Sequence, residues 1–312
     1  MLKIITPKIV FCFFAVFLVL PLNLKATEFF KCNNENSYFE SIITLQKKFK
    51  TEESLGSTWF SPPTGTEVAV AIVVHGLNNS PLAMNEIAEF LQKHAIKTLR
   101  VTLPGHGGNL EAMKKATRED WLETLFVNYC VAKKEASLKN LPLYFVGYSL
   151  GALVGLDLVN SSLYLNVNFS ASVLFAPAIA PKPMASLFWL LSPFPNLVIP
   201  SFNVEEFRAN RGTAVRAYNE LFRSLEVTLK SGLKNSVEPT TIFISKDDEM
   251  VSFDELKKMV EDNPSLNWKI VEINTRDKQN TKFANHLIIT NQAMSKESWD
   301  ELTQLMLKKF GP

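Results

Sequence analysis

The stretch Leu143–Gly155 reads LYFVGYSLGALVG and decides the fold. An apolar run ends in Gly147-Tyr148-Ser149-Leu150-Gly151, and a second apolar run follows at once. A surface turn has no use for such flanks, and a core segment has no use for the serine. Both are explained if a buried strand ends near Val146 and a helix begins at Leu150. Ser149 then occupies a sharp strand-to-helix turn in a strained backbone conformation. Gly147 and Gly151 must be small there, because the two backbones approach closely. Such a turn lifts the hydroxyl off the sheet and aims a helix N-terminus at it, where backbone N–H groups can hold an oxyanion.

The sequence on either side supplies the context this turn needs. Val68–Val74 is a continuous apolar run rich in β-branched residues, as expected of a strand buried on both faces, and it stops at His75-Gly76-Leu77-Asn78. Ser80-Pro81 offers an N-cap with proline in the first turn and predicts a helix to about His94. Further strands are expected at Thr98–Leu103, Ser172–Ala176, Thr241–Ser245 and Trp268–Ile273. Helices are expected from Thr117 to Leu138, from Phe253 to Val260 and from Lys296 to Phe310. Strands alternating with helices predict an α/β fold with a mostly parallel central sheet and helices on both faces. Such sheets carry their sites beyond the carboxyl ends of the strands, where Ser149 and the glycine and histidine stretches fall. The pattern breaks between residues 179 and 233, where Phe188–Pro200 is apolar and interrupted by prolines and Asn203–Lys230 reads as helical.

A serine hydroxyl needs a base, and the base needs an orienting acid. On the nucleophile elbow of the α/β-hydrolases, the order along the chain is serine, acid, histidine. The chain has four histidines, and only His286 follows Ser149. It lies between the last expected strand and the last helix. The acid is expected after the strand ending near Ser245, in Ser245-Lys246-Asp247-Asp248-Glu249-Met250-Val251.

With these residues the chain resembles the monoacylglycerol lipase and serine aminopeptidase-like branch of the α/β-hydrolases. That branch commonly carries Gly-x-x-Asp-x-x-Val at the acid. Laid on this chain, the pattern puts Ser245 in the glycine's place, Asp248 at the acid and Val251 in register, with Asp247 as the alternative. His75-Gly76-Leu77 resembles the family's oxyanion loop, which implies that the N–H groups of Leu77 and Leu150 bind the developing negative charge. Leu103-Pro104-Gly105-His106-Gly107 resembles its PGHG turn, and the resemblance implies structural roles for His75 and His106. His94 reads as an ordinary helix-end residue. The break at 179–233 matches the family's cap insertion. Its Phe188, Trp189 and Phe194 either line an acyl-binding pocket, face a lipid surface, or pack the insertion onto the core. The resemblance covers about residues 60–310 and implies a serine hydrolase of esters or lipids. Aminopeptidase activity, with Glu205 or Glu206 holding a substrate amine, is the second reading. A binding protein without catalysis is the third.

Composition narrows the partners. With 46% hydrophobic and 21% charged residues, the chain can bury a large core. Lys3 and Lys8, the apolar run Ile9–Leu20 and Leu24-Lys25-Ala26 read as a secretory signal peptide covering residues 1–26, followed by a hydrolase domain over 27–312. An uncleaved membrane anchor is the alternative. Removing that segment removes three lysines and no acid, so the formal charge passes from +2 to −1. No basic patch points to nucleic acid. A small-molecule ester or lipid is the expected partner, with membrane-surface contact through the insertion. Cys32 and Cys130 can pair in an oxidising compartment or remain free thiols. No Cys/His cluster has zinc spacing, and no cofactor is implied.

Overall fold

The computed structural model describes residues 30–32, 36–183, 187–201, 203–275 and 284–310. The expected signal peptide lies outside them. The strands are β1 (Thr58–Phe60), β2 (Ala69–Val74), β3 (Ile96–Val101), β4 (Leu143–Tyr148), β5 (Ala171–Phe175), β6 (Val198–Pro200), β7 (Gly212–Ala214), β8 (Thr240–Ile244) and β9 (Trp268–Glu272). Seven of them make one sheet in the order β1-β3-β2-β4-β5-β8-β9. Only β1 runs antiparallel to its neighbour; every other pairing in this sheet is parallel.

The helices are α1 (Asn36–Lys48), α2 (Asn85–Lys93), α3 (Leu110–Met113), α4 (Arg118–Leu138), α5 (Leu150–Asn160), α6 (Val215–Lys230), α7 (Phe253–Asp262) and α8 (Lys296–Phe310). The β-strand period of two sorts the central side chains onto two faces. Val70, Ile72 and Val74 of β2 join a core that includes Leu122 and Leu125 of α4 and Leu153 of α5. Ala69, Ala71 and Val73 join the opposite core, with Ile87 and Leu91 of α2 and Leu302 and Met306 of α8. This is why β2 shows no polar alternation: all six of its residues are buried.

Local signals set the helix ends. Thr117 and Asp120 form a reciprocal capping box at α4, with Asp120 N–H donating to Thr117 Oγ1 at 3.2 Å and Thr117 N–H donating to Asp120 Oδ2 at 2.9 Å. Ser80 does cap a helical turn, but Pro81–Met84 is a 3₁₀ turn and the α-helix starts only at Asn85.

One expectation is corrected. Asn203–Lys230 is not one helix; α6 begins at Val215. The residues before it are committed elsewhere. Gly212–Ala214 pairs antiparallel with Val198–Pro200, outside the main sheet. The amides of Asn203 and Asn210 donate to main-chain carbonyls far away in sequence. Asparagine side chains that serve other backbone groups do not support a helix.

The insertion between β5 and β8 therefore adds no strand to the main sheet. Its Phe188, Tyr218, Leu221 and Phe222 face Ser149 across a cavity. Among the described residues, no helix is long and apolar enough to cross a membrane. Cys32 and Cys130 form a disulfide across a sequence separation of 98, with Cα atoms 5.4 Å apart. It ties the segment before α1 to α4.

Candidate active site

Ser149 lies between β4 and α5 with φ 50° and ψ −109°, outside the ordinary regions for a residue with a side chain. Tertiary bonds hold it there. Its N–H donates to Phe175 O at 2.9 Å, and its carbonyl accepts from Ala178 N–H at 3.2 Å and Leu153 N–H at 3.1 Å. The flanking glycines are required by space. A Cβ on Gly147 would stand 2.5 Å from Ala152 Cα, and one on Gly151 would stand 2.4 Å from Val74 O. Neither backbone can retreat without separating helix from sheet.

Three loops meet at the hydroxyl. His286 Nε2 lies 2.9 Å from Ser149 Oγ, and His286 Nδ1 lies 2.8 Å from Asp248 Oδ2. A carboxylate only accepts, so Nδ1 carries the proton and Nε2 offers its lone pair to the serine. Asp248 is fully buried, and its other oxygen accepts from Met250 and Val251 N–H, each at 2.8 Å. Burial pushes this carboxyl up, but His286 and the two backbone donors outweigh it and the acid stays below its ordinary range. Asp247, the alternative acid, is exposed, and its carbonyl accepts from Asn285 Nδ2 at 3.2 Å. Ser245 has its own reason to replace the family's glycine. Its hydroxyl pairs with Thr275 Oγ1 at 2.8 Å and accepts from Asp247 N–H at 3.2 Å, closing the acid turn.

Leu150 opens α5, so its N–H has no acceptor within the helix and lies beside Ser149. Leu77 lies across the same cavity wall. The two loops are tightly packed: a Cβ on Gly76 would come within 3.2 Å of Ser149 Cβ. His75 and His106 stay behind the site. His75 Nδ1–H donates to Gly76 O at 2.9 Å and its Nε2 accepts from Leu103 N–H at 3.0 Å. His106 Nδ1–H donates to Pro104 O at 3.1 Å. Burial holds both rings neutral, His106 at about 4 and His75 well below its ordinary value.

Two sets of contacts had no signal in the sequence. The first laces the Leu77 loop to the insertion. Asn78 Nδ2 donates to Asn210 O at 3.1 Å, and Asn210 N–H returns to Asn78 Oδ1 at 2.9 Å. Asn203 Nδ2 reaches Asn78 O at 3.0 Å, and Ser80 N–H reaches Phe207 O at 2.8 Å. The second set centres on Glu249. Its carboxylate accepts from Asn285 N–H and Nδ2, each at 2.9 Å, and from His286 N–H at 3.0 Å.

The cavity over Ser149 holds about 430 Å³. Its walls are mainly apolar, with Phe188, Leu221, Phe222, Met250 and Val251 among them. Of the aromatic residues expected there, Phe188 lines the cavity and stacks on Tyr218 with ring centroids 4.3 Å apart. Phe194 does not. It is 63% exposed, because the chain turns between Leu191 and Leu197 and carries its ring outward. The Trp189 side chain lies outside what the structure describes. Glu205 and Glu206 are exposed on a 3₁₀ turn, Glu205 paired with Arg208 at 2.7 Å, and neither lines the cavity. Among the described residues, no group of His, Cys, Asp or Glu is arranged to hold a metal ion.

Comparison with known proteins agrees with this architecture. Residues 65–211 match the family described as serine aminopeptidase, S33. No sequence among curated proteins matches the chain. Among solved structures, a metagenome-derived lipolytic enzyme superposes with a TM-score of 0.63 at 16% identity, covering 83% of this chain and 98% of that one. A soluble variant of the monoglyceride lipase of Saccharomyces cerevisiae, in complex with a substrate analog, gives 0.63 at 15% identity, covering 81% and 90%. The monoacylglycerol lipase of Paleococcus ferrophilus gives 0.60 at 15%, covering 81% and 97%. At such identities the likeness establishes the fold alone. The chain thus has the fold of the α/β-hydrolases, and the part of it that carries the nucleophile elbow is similar to the serine aminopeptidase, S33 family.

Proposed function

We propose that the protein is an exported serine hydrolase that cleaves carboxylic esters with an apolar acyl group, through an acyl-enzyme. The observation that carries this reading is the bonded series Asp248–His286–Ser149 at the floor of an apolar cavity. In the first step His286 Nε2 takes the Ser149 proton as Oγ bonds to the acyl carbon. The carbonyl oxygen becomes an oxyanion, held by the Leu77 and Leu150 N–H groups. Collapse breaks the ester C–O bond, and the leaving alkoxide takes the proton from His286. Water then gives a proton to the same nitrogen, attacks the acyl carbon and releases the acid, and Ser149 regains its proton. Asp248 keeps Nδ1 protonated and stabilises the imidazolium without taking the proton.

The cavity lining favours an ester over an aminoacyl substrate. An aminopeptidase needs an acid free to pair with an ammonium group. Glu205 and Glu206 do not line the cavity, and Glu249, which does line it, already accepts three N–H bonds. Export is supported by the N-terminal sequence and by the Cys32–Cys130 disulfide, since such bonds persist in oxidising compartments.

A series of p-nitrophenyl esters of rising acyl length tests the substrate class. Each buried CH₂ should strengthen binding by about 0.8 kcal/mol, roughly fourfold, so KM should fall with length until the cavity is filled. Phe222→Ala should flatten that trend more than it slows a short ester. A flat profile in the wild-type protein, together with good cleavage of aminoacyl amides, would overturn the ester reading.

A further inference from the structure

We infer that Glu249 is a positioning residue for His286, holding the backbone that carries the imidazole while its neighbour Asp248 holds the ring. This rests on the hydrolase reading of the site. His286 belongs to no helix or strand; it lies in the loop between β9 and α8. A single bond from Nδ1 to Asp248 would leave the ring free to swing about that bond. The 2.9 Å approach of Nε2 to Ser149 Oγ needs the Cα–Cβ direction fixed as well.

Glu249 fixes it. One carboxylate oxygen accepts from Asn285 N–H and Nδ2, and the other accepts from His286 N–H. Two successive backbone N–H groups converging on one anion form a directional, charge-assisted clamp. Asn285 Nδ2 also reaches Asp247 O at 3.2 Å. The acid loop thus grips the base loop at ring and backbone through adjacent residues, and the two loops move as one body. Glu249 also lines the cavity, so contact with substrate is the competing role. The two roles separate in kinetics. A substrate contact changes KM in a manner that depends on the substrate. A positioning bond changes the chemical step for every substrate alike.

The discriminating variant is Glu249→Gln in the full mature chain. The new amide oxygen can still accept from Asn285, but its NH₂ faces the His286 N–H, donor against donor. Expected are a drop of roughly 10- to 100-fold in kcat for all esters, the scale of a misplaced catalytic group, and an equal drop in the rate of labelling by a fluorophosphonate. KM and melting temperature should hold, and the proton NMR resonance of the His286 Nδ1–H should shift or broaden. Glu249→Ala should go further in the same direction. Wild-type rates with an unchanged resonance in Glu249→Gln would overturn the inference. So would a loss confined to KM, or a loss explained wholly by fewer folded molecules at an unchanged rate per active site. If the wild-type protein does not react with the fluorophosphonate at all, the hydrolase reading fails, and the Nδ1–H resonance still decides whether Glu249 positions His286.

Discussion

At the scale of single residues, environment separates two adjacent acids. Asp247 and Asp248 share a side chain, yet only the second is buried and bonded to His286 and two backbone donors. Asp248→Asn should therefore lower ester turnover by about 10⁴-fold, because an amide no longer fixes the imidazole tautomer. Asp247→Asn should leave turnover within a few-fold, and the reverse ranking in steady-state kinetics would reassign the acid. The position of Ser149 was legible because its requirements are local: apolar flanks and two glycines that the backbone approach demands. His286 was legible by chain order and scarcity. Glu249 was not, because a glutamate beside two aspartates in a loop reads as solvated charge until the Asn285–His286 backbone is placed against it. Which of its three expected roles Phe194 takes was not legible either: an aromatic ring in an apolar run gives no sign of which side of a turn it faces.

At the scale of elements, strands and helices followed from periodicity, and the connections between them did not. β2 and β4 could be read because both faces are buried and their sequences are continuously apolar. The insertion could not, since Asn203–Ala214 is shaped by bonds to the Leu77 loop more than 120 residues away in sequence. The His75 and His106 turns, which end β2 and follow β3, make a measurable difference at this scale. Their rings stand 4.7 Å apart, and the buried His106 Nε2 has no partner, so a proton there would place a bare charge in the core. Unfolded histidines titrate near 6.5, whereas folded His106 does so at about 4. Between those values the unfolded chain binds a proton that the folded chain refuses, so stability falls as pH falls. The slope from such a histidine is up to about 1.4 kcal/mol per pH unit. Urea unfolding should show stability declining from pH 7.5 to 5. His106→Asn, which can keep a donor to Pro104, should make that decline shallower. An unchanged slope in the variant would contradict this origin.

At the scale of the whole molecule, the insertion is bound to the sheet domain through polar contacts as well as apolar packing. Arg118 of α4 grips Asp157 of α5 through two bonds of 2.6 Å, and Ser224 of α6 donates to the same carboxylate at 2.6 Å. The cluster is buried, so it fixes α6 and the cavity wall of Tyr218, Leu221 and Phe222 in one place. These three groups are scattered over about a hundred residues and had no pattern in the sequence; the pairing of Cys32 with Cys130 was one of two readings the sequence left open, because only the fold brings the two within bonding distance. The disulfide itself should contribute on the order of 2–4 kcal/mol, mainly by restricting the unfolded chain. What the molecule arranges through all of this is one serine hydroxyl, within hydrogen-bond reach of His286, under an apolar roof. The most direct test is to treat the mature protein with a fluorophosphonate and locate the adduct by peptide mass spectrometry. A single adduct on Ser149, absent from Ser149→Ala and strongly slowed in His286→Ala, is the expected result. Labelling that persists in a folded Ser149→Ala protein, or a wild-type protein that stays unlabelled, would contradict the assignment of Ser149 as the nucleophile.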